Sequence, residues 1–278
     1  DEIMEGTLAP NAAVMSWRGT EAGLTAAKSG HHVVMAPQEF CYLNMYQDDP
    51  MTEPKAQGGY TRLEKTYNYD PIPAAYKGTS LEKYIDGVQG CVWTEFIEKP
   101  DHLEYMIYPR LLALAETGWT KQRTGYADFR QRVITATDAL KRAGYNAFDI
   151  RKEKGARPES RSIVQHEGLG KPVTYLGRYA EKYRAEGDST LTNGLCGDWG
   201  YLEGRWQGFI DSTGVDVIVD MGKVTDIKDV EANFMHQLEA VIYVPNTITL
   251  LVSKDGKKFT TIDKTLPGIK TDSDYLVY

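Results

Sequence analysis

Two tryptophans, a tyrosine, an amide and a carboxylate sit in three short motifs that read as the ends of strands: Trp17-Arg18-Gly19, Tyr42-Leu43-Asn44 and Trp93-Thr94-Glu95. The rings offer flat apolar faces. The tyrosine hydroxyl, the asparagine amide and the glutamate carboxylate offer hydrogen bonds. A pyranose ring presents the same mixture in reverse, with apolar C–H faces and a polar rim. Brought together, these residues suit the grip on a sugar. By residue type alone, Trp17 and Trp93 more often fill a core than line a pocket, so everything depends on convergence.

The elements around them supply a reason to converge. Ala12–Trp17 and His32–Ala36 read as short buried strands, the second stopped by Pro37. Between them, Thr20–Lys28 is alanine-rich and helix-prone and closes at Gly30. Val88–Trp93 reads as a third strand, followed by one helix through Leu103, Met106, Leu111, Leu114 and Ala115 that stops near Gly118. A further amphipathic helix spans Asp128–Gly144. This alternation predicts parallel strands covered by helices, and in a βα barrel the C-terminal strand ends share one mouth. Three strands cannot close an eight-stranded barrel, so the expectation is its last part only. The segment Tyr46–Ser80 is punctuated by prolines and a Gly58-Gly59 pair, and reads as a long functional loop.

Composition narrows the function classes. Of 278 residues, 41% are hydrophobic and 26% charged, the balance of a globular protein able to bury a core. The formal charge of -7 and scattered basic residues argue against nucleic acid, and no apolar run is long enough to span a bilayer. The densest basic stretch, Arg151, Lys152, Lys154, Arg157 and Arg161, reads as a solvated linker, and Asp48-Asp49 as a solvated loop. Glu98 and Asp101 read as caps of the helix after the last strand. Cys41, Cys91 and Cys196 show no metal-ligand spacing, and a Cys41–Cys91 bridge would require adjoining strands. His31-His32 fits a turn, and His102, His166 and His236 lack a second ligand at useful spacing, so no metal is expected.

A resemblance then orders these features. Ala9-Pro10-Asn11-Ala12 with Val14-Met15-Ser16-Trp17-Arg18-Gly19 resembles the family 20 glycoside hydrolases, the β-N-acetylhexosaminidases. So do His32-Val33-Val34-Met35-Ala36-Pro37, Cys41-Tyr42-Leu43, Gly87–Glu95 and Tyr108–Glu116, in order and register over roughly residues 1 to 120. The resemblance implies the last three strands and helices of a (β/α)8 barrel. It implies that Trp17 and Trp93 wall the pocket for a terminal N-acetylhexosamine, and that Glu95 holds sugar hydroxyls. Tyr42 would hydrogen-bond the acetamido oxygen. Asn44 falls where the family has an aspartate, taken to orient the acetamido nitrogen.

The chemistry so implied is retaining and substrate-assisted: the acetamido oxygen attacks the anomeric carbon while a glutamic acid protonates the leaving oxygen. No cofactor is implied. The departure at Asn44 matters, because an uncharged amide does not favour the growing positive charge as a carboxylate would. The family's acid belongs to an Asp-Glu pair in a Gly-Gly-Asp-Glu context that this sequence lacks. Asp1-Glu2-Ile3 resembles instead the stretch that follows a pocket tryptophan, which would precede residue 1. The chain alone is therefore expected to be inactive.

After about residue 150 the composition changes. The expected division is a barrel portion over 1–150, a linker over 151–170 and an all-β sandwich over 171–278. Strand-like runs are Gly208–Ile210, Val215–Val219, Asp229–Phe234, Ile242–Val244 and Thr247–Ser253, with an Asp255-Gly256 turn before Phe259. Leu191–Gly194, Trp206–Phe209, Val217–Val224 and Val252–Thr260 resemble a discoidin-like (factor 5/8 type C) module, a jelly roll that would be incomplete here. Trp199 and Tyr201 suit packing more than sugar contact. The expected partners are N-acetylhexosamine-containing glycans, met in a secreted or periplasmic setting. The rival expectation is a non-catalytic carbohydrate-binding fragment acting through the sandwich.

Overall fold

The computed structural model describes residues 6–210, 214–265 and 275–277. The chain divides into two compact units, residues 1–155 and 156–278.

The first unit opens as a βαβ crossover. Strand β1 (Val14–Ser16), helix α1 (Glu21–Lys28) and strand β2 (Val33–Met35) follow in order, with β1 parallel to β2. Helix α1 carries Glu21 in its first turn and Lys28 in its last, matching the helix dipole, and buries Gly23, Leu24, Ala26 and Ala27 against the sheet. Gly23 is needed for that approach, since a Cβ there would lie 2.8 Å from Ser16 Cβ. A short helix α2 (Gln38–Cys41) follows, then the parallel pair β3 (Met45–Tyr46) and β4 (Gln57–Tyr60), helix α3 (Leu63–Asn68) and strand β5 (Ile85–Val88). Strand β5 pairs parallel with β2, giving the sheet order β1-β2-β5. Helices α4 (Pro100–Ile107), α5 (Arg110–Trp119) and α6 (Tyr126–Arg142) complete the unit. One core joins Val14, Leu24, Val33, Met35, Ile85 and Leu114. A second joins Leu63, Tyr67, Ala113, Phe129 and Val133, with Tyr67 and Phe129 stacked at 4.1 Å.

Several sequence expectations shift. The third strand lies at Ile85–Val88 rather than Val88–Trp93. Gln89 N still donates to Met35 O, but Cys91 then pairs in a parallel bridge with Tyr42. The run changes partner at Gly90, where a Cβ would sit 2.9 Å from Leu114 Cδ1. The single helix expected through Leu103–Ala115 is two helices, because Pro109 cannot donate to a continuing ladder and Tyr108 before it is extended. Lys99 occupies the N-cap position of α4; Asp101 lies in its first turn, and Glu98 lies outside the helix. The long loop contains β4 and α3.

In the second unit, β6 (Val173–Tyr175) pairs antiparallel with β7 (Val217–Val219), and β8 (Met235–Gln237) with β11 (Tyr275–Val277). Strands β9 (Ile248–Val252) and β10 (Thr260–Thr265) form a hairpin. Its turn is held by Asp255 Oδ1, which accepts from Lys257 N and Lys258 N at 2.9 Å each. Among the described residues these are three separate two-stranded ladders. Gly208–Ile210 and Asp229–Phe234 form no strand, and Ile242–Val244 reduces to one bridge, Ile242 to Gln237. Gly208 instead closes a turn, accepting from Ala180 N and donating to Tyr183 O. Arg157, read as part of a solvated linker, is buried in this unit; its guanidinium donates to Gly197 O and Asn233 Oδ1 at 3.0 Å.

Candidate functional site

The ends of β1 and β2 are stitched together by backbone bonds. Ala36 N donates to Ser16 O at 2.9 Å and Gln38 N to Trp17 O at 2.8 Å. Ser16 shapes the turn after Trp17: its hydroxyl donates to Gly19 O at 2.6 Å and accepts from Gly23 N at 3.0 Å. Trp17 packs against a cluster of Ala36, Tyr42, Met45 and Cys91. The Arg18 guanidinium lies 4.8 Å from the centroid of the Trp17 ring.

The Tyr42 and Trp93 motifs meet through the same cluster. Cys91 N donates to Cys41 O at 2.9 Å and Leu43 N to Cys91 O at 2.8 Å, so the end of helix α2 and the stretch after β5 run side by side, although neither motif ends a strand as the sequence suggested. Cys41 and Cys91 adjoin as the bridge would require, yet both are free thiols, and burial pushes the Cys41 thiol up to about 12. Burial also raises the Tyr42 hydroxyl above its ordinary value, and a side-chain hydrogen bond to Trp93 pulls it back. Tyr42 is buried while Trp93 is half exposed, at 52%. Three of the five candidate side chains, Trp17, Tyr42 and Trp93, are thus brought together.

Asn44 and Glu95 each stand two residues beyond an aromatic member. Glu95 is exposed. Asn44 is 1% exposed, and among the described residues neither its Oδ1 nor its Nδ2 has a hydrogen-bond partner. A buried amide with both ends unmatched is costly in a folded chain, and a bound polar group would satisfy it.

Beneath these residues lies a charged layer that the residue types did not reveal. Arg110 is wholly buried and donates to four backbone carbonyls: Leu43 O and Met106 O at 2.6 Å, Met45 O at 2.9 Å and Thr61 O at 3.0 Å. Asp48 and Asp49, read as a solvated loop, are buried. Asp48 accepts from Lys154 N at 2.7 Å and Gly155 N at 2.9 Å, and Asp49 from Met51 N and Lys154 Nζ. Glu53 accepts from the Tyr105 hydroxyl, and burial pushes its carboxyl up to about 7. A carboxyl so shifted has the proton affinity of a general acid. Its interactions, however, run to Tyr105, Asp48, Asp49 and Arg110 and not to Trp17, Tyr42 or Trp93, so we assign it to the support. Among the described residues no group of three or more His, Cys, Asp and Glu side chains could hold a metal ion, and no helix is long and apolar enough to cross a membrane.

With this geometry in place, comparison with known proteins is informative. Residues 1–122 match the family described as glycosyl hydrolase family 20, catalytic domain. A β-hexosaminidase of Porphyromonas gingivalis is 43% identical over 148 residues, covering 52% of this chain and 19% of that protein. A β-hexosaminidase of Vibrio furnissii is 39% identical over 106 residues, covering 38% and 17%. The chain therefore spans about a fifth of the length of these relatives. Among solved structures, a family 20 exo-β-N-acetylglucosaminidase of Vibrio harveyi in complex with N-acetylglucosamine is similar, with 34% identity, a TM-score of 0.48, and coverage of 53% of this chain and 24% of that one.

Proposed function

We propose that this chain forms the pocket for a terminal N-acetylhexosamine in a β-N-acetylhexosaminidase, a retaining glycoside hydrolase whose general acid lies outside these 278 residues. The observation that carries the reading is the meeting of Trp17, Tyr42 and Trp93 beside the buried, unmatched amide of Asn44. The family match over residues 1–122 and the two hexosaminidase relatives support it.

In this reading Trp17 and Trp93 hold the apolar faces of the sugar. Tyr42 donates its hydroxyl proton to the acetamido oxygen, which orients that oxygen for attack on the anomeric carbon. Asn44 accepts from the acetamido N–H, and its Nδ2 donates to a neighbouring polar group. Glu95, at the open end, holds sugar hydroxyls. When the acetamido oxygen bonds to the anomeric carbon, the glycosidic bond breaks and the leaving oxygen takes its proton from the acid; water then opens the oxazolinium with net retention. The same proposal makes the β1-β2-β5 sheet an arc of a (β/α)8 barrel, the antiparallel pairs of the second unit part of a discoidin-like sandwich, and the setting secreted or periplasmic.

The test uses residues 1–278 as they stand. N-acetylglucosamine should quench tryptophan fluorescence where glucose does not, and an aryl N-acetylglucosaminide should show no turnover above background. Turnover would place the acid within the chain, and an absence of selective binding would sink the pocket.

A further inference from the structure

Among the described residues, Arg110 is a buried cation without a carboxylate in hydrogen-bonding contact. Its four hydrogen bonds among the described residues all go to backbone carbonyls, and its Nε has no partner there. Burial lowers its pKa to about 9, with Glu53 acting against that shift, so the side chain stays charged at neutral pH. As core filler this is an expensive choice, since an apolar side chain of similar length would occupy the space without desolvating a charge. An apolar side chain would not hold carbonyls.

The carbonyls it holds are not scattered. Leu43 and Met45 flank Asn44 on either side, and Leu43 directly follows Tyr42. The other two anchor this pair to fixed points: Met106 O in the last turn of α4, and Thr61 O between β4 and α3. Backbone bonds add to the frame, with Gln57 N donating to Asn44 O at 3.0 Å and Thr61 N to Tyr46 O at 2.8 Å. Asn44 is thus fixed through its backbone while its amide stays uncommitted.

We infer that Arg110 is a positioning residue of the sugar pocket, its guanidinium clamping the backbone on both sides of Asn44 and so setting where Asn44 and Tyr42 present their polar atoms. The inference rests on the pocket reading above. The planar guanidinium suits the task because its two terminal nitrogens each serve two carbonyls in fixed directions. A lysine ammonium keeps the charge but has only three donors radiating from one point.

The experiment compares the full chain with R110K by amide hydrogen exchange and by titration with N-acetylglucosamine. The expected result is local: exchange at Asn44 and Met45 speeds at least tenfold in R110K, exchange in α6 near Val133 is unchanged, and the sugar Kd rises at least tenfold. A merely structural role would speed exchange in both places together, and that result overturns the inference. So does unchanged exchange at Asn44 and Met45. If the wild-type chain binds no sugar while the local exchange effect appears, the pocket reading fails and the clamp stands. Should R110K not fold, the carbonyl 13C shifts of Leu43 and Met45 in the wild-type chain replace it. Movement of both on saturation with N-acetylglucosamine supports the inference, and no movement overturns it.

Discussion

The unmatched amide of Asn44 makes a prediction in which stability and binding move in opposite directions. Asn44→Leu replaces a buried, uncommitted amide with an apolar group of similar branching. Leaving a buried polar group unsatisfied costs about 1–3 kcal/mol, so the variant should gain about that much. For a unit of this size the midpoint should rise by about 2–10 °C. Helical circular dichroism is the readout, because the six α-helices among the described residues all lie in the first unit and their signal reports its unfolding. Binding should fall in the same variant. On the proposed function the sugar would lose hydrogen bonds to the amide and keep its own polar groups buried opposite leucine, a loss of about 1.5–3 kcal/mol or roughly 10–150-fold in Kd for N-acetylglucosamine. A variant less stable than wild type would refute the reasoning about the amide. Undiminished sugar binding would refute its place in the pocket.

Asp48→Ala removes the acceptor of two backbone N–H groups at 2.7 and 2.9 Å and should cost the first unit about 3–5 kcal/mol; a loss under about 1 kcal/mol in urea unfolding would refute the assignment. Glu53 predicts a pH dependence. Folded, its carboxyl holds a proton up to about 7, against 4.5 for the free group, so the stability tied to that proton is full below 4.5 and lost as pH rises through 7. Glu53→Gln lacks this loss, so its midpoint advantage over wild type should grow from pH 5 to pH 8, and a constant difference would sink the claim.

Local patterns made part of this molecule legible in its sequence. Strand β1, helix α1 and strand β2 fall where apolar runs, alanines and Gly30 place them, because each signal lies within the element itself. The Asp255-Gly256 hairpin is legible for the same reason. The β5 strand was displaced because the apolar run through Trp93 continues past the point where the chain changes partner at Gly90. Trp17 is legible as an aromatic residue at the end of a strand, whereas Tyr42 follows helix α2 and Trp93 lies five residues beyond β5. That the Asn44 amide lacks a partner depends on everything packed around it. Arg110 does carry a local signal: it stands three and four residues before Ala113 and Leu114, on the buried stripe of α5. Asp48-Asp49 resembled a solvated pair because the donors that bury Asp48 come from Lys154 and Gly155, far along the chain. The antiparallel partners β6–β7 and β8–β11 of the second unit are similarly remote and carry no local mark.

The bonds from Asp48 to Lys154 and Gly155 also bear on how the first unit comes apart. They join backbone 106 and 107 residues away, so forming them requires closing a loop that takes in most of the unit. Contacts of such long range are expected to form late, after the helices and the β1-β2-β5 sheet, and contacts absent from the transition state act chiefly on the unfolding rate. The carboxylate is in this sense a latch: it does little to speed assembly and much to prolong the assembled state. A boundary drawn at residue 150 would remove the latch's keeper, and the unit left behind would open faster while folding at nearly the same rate.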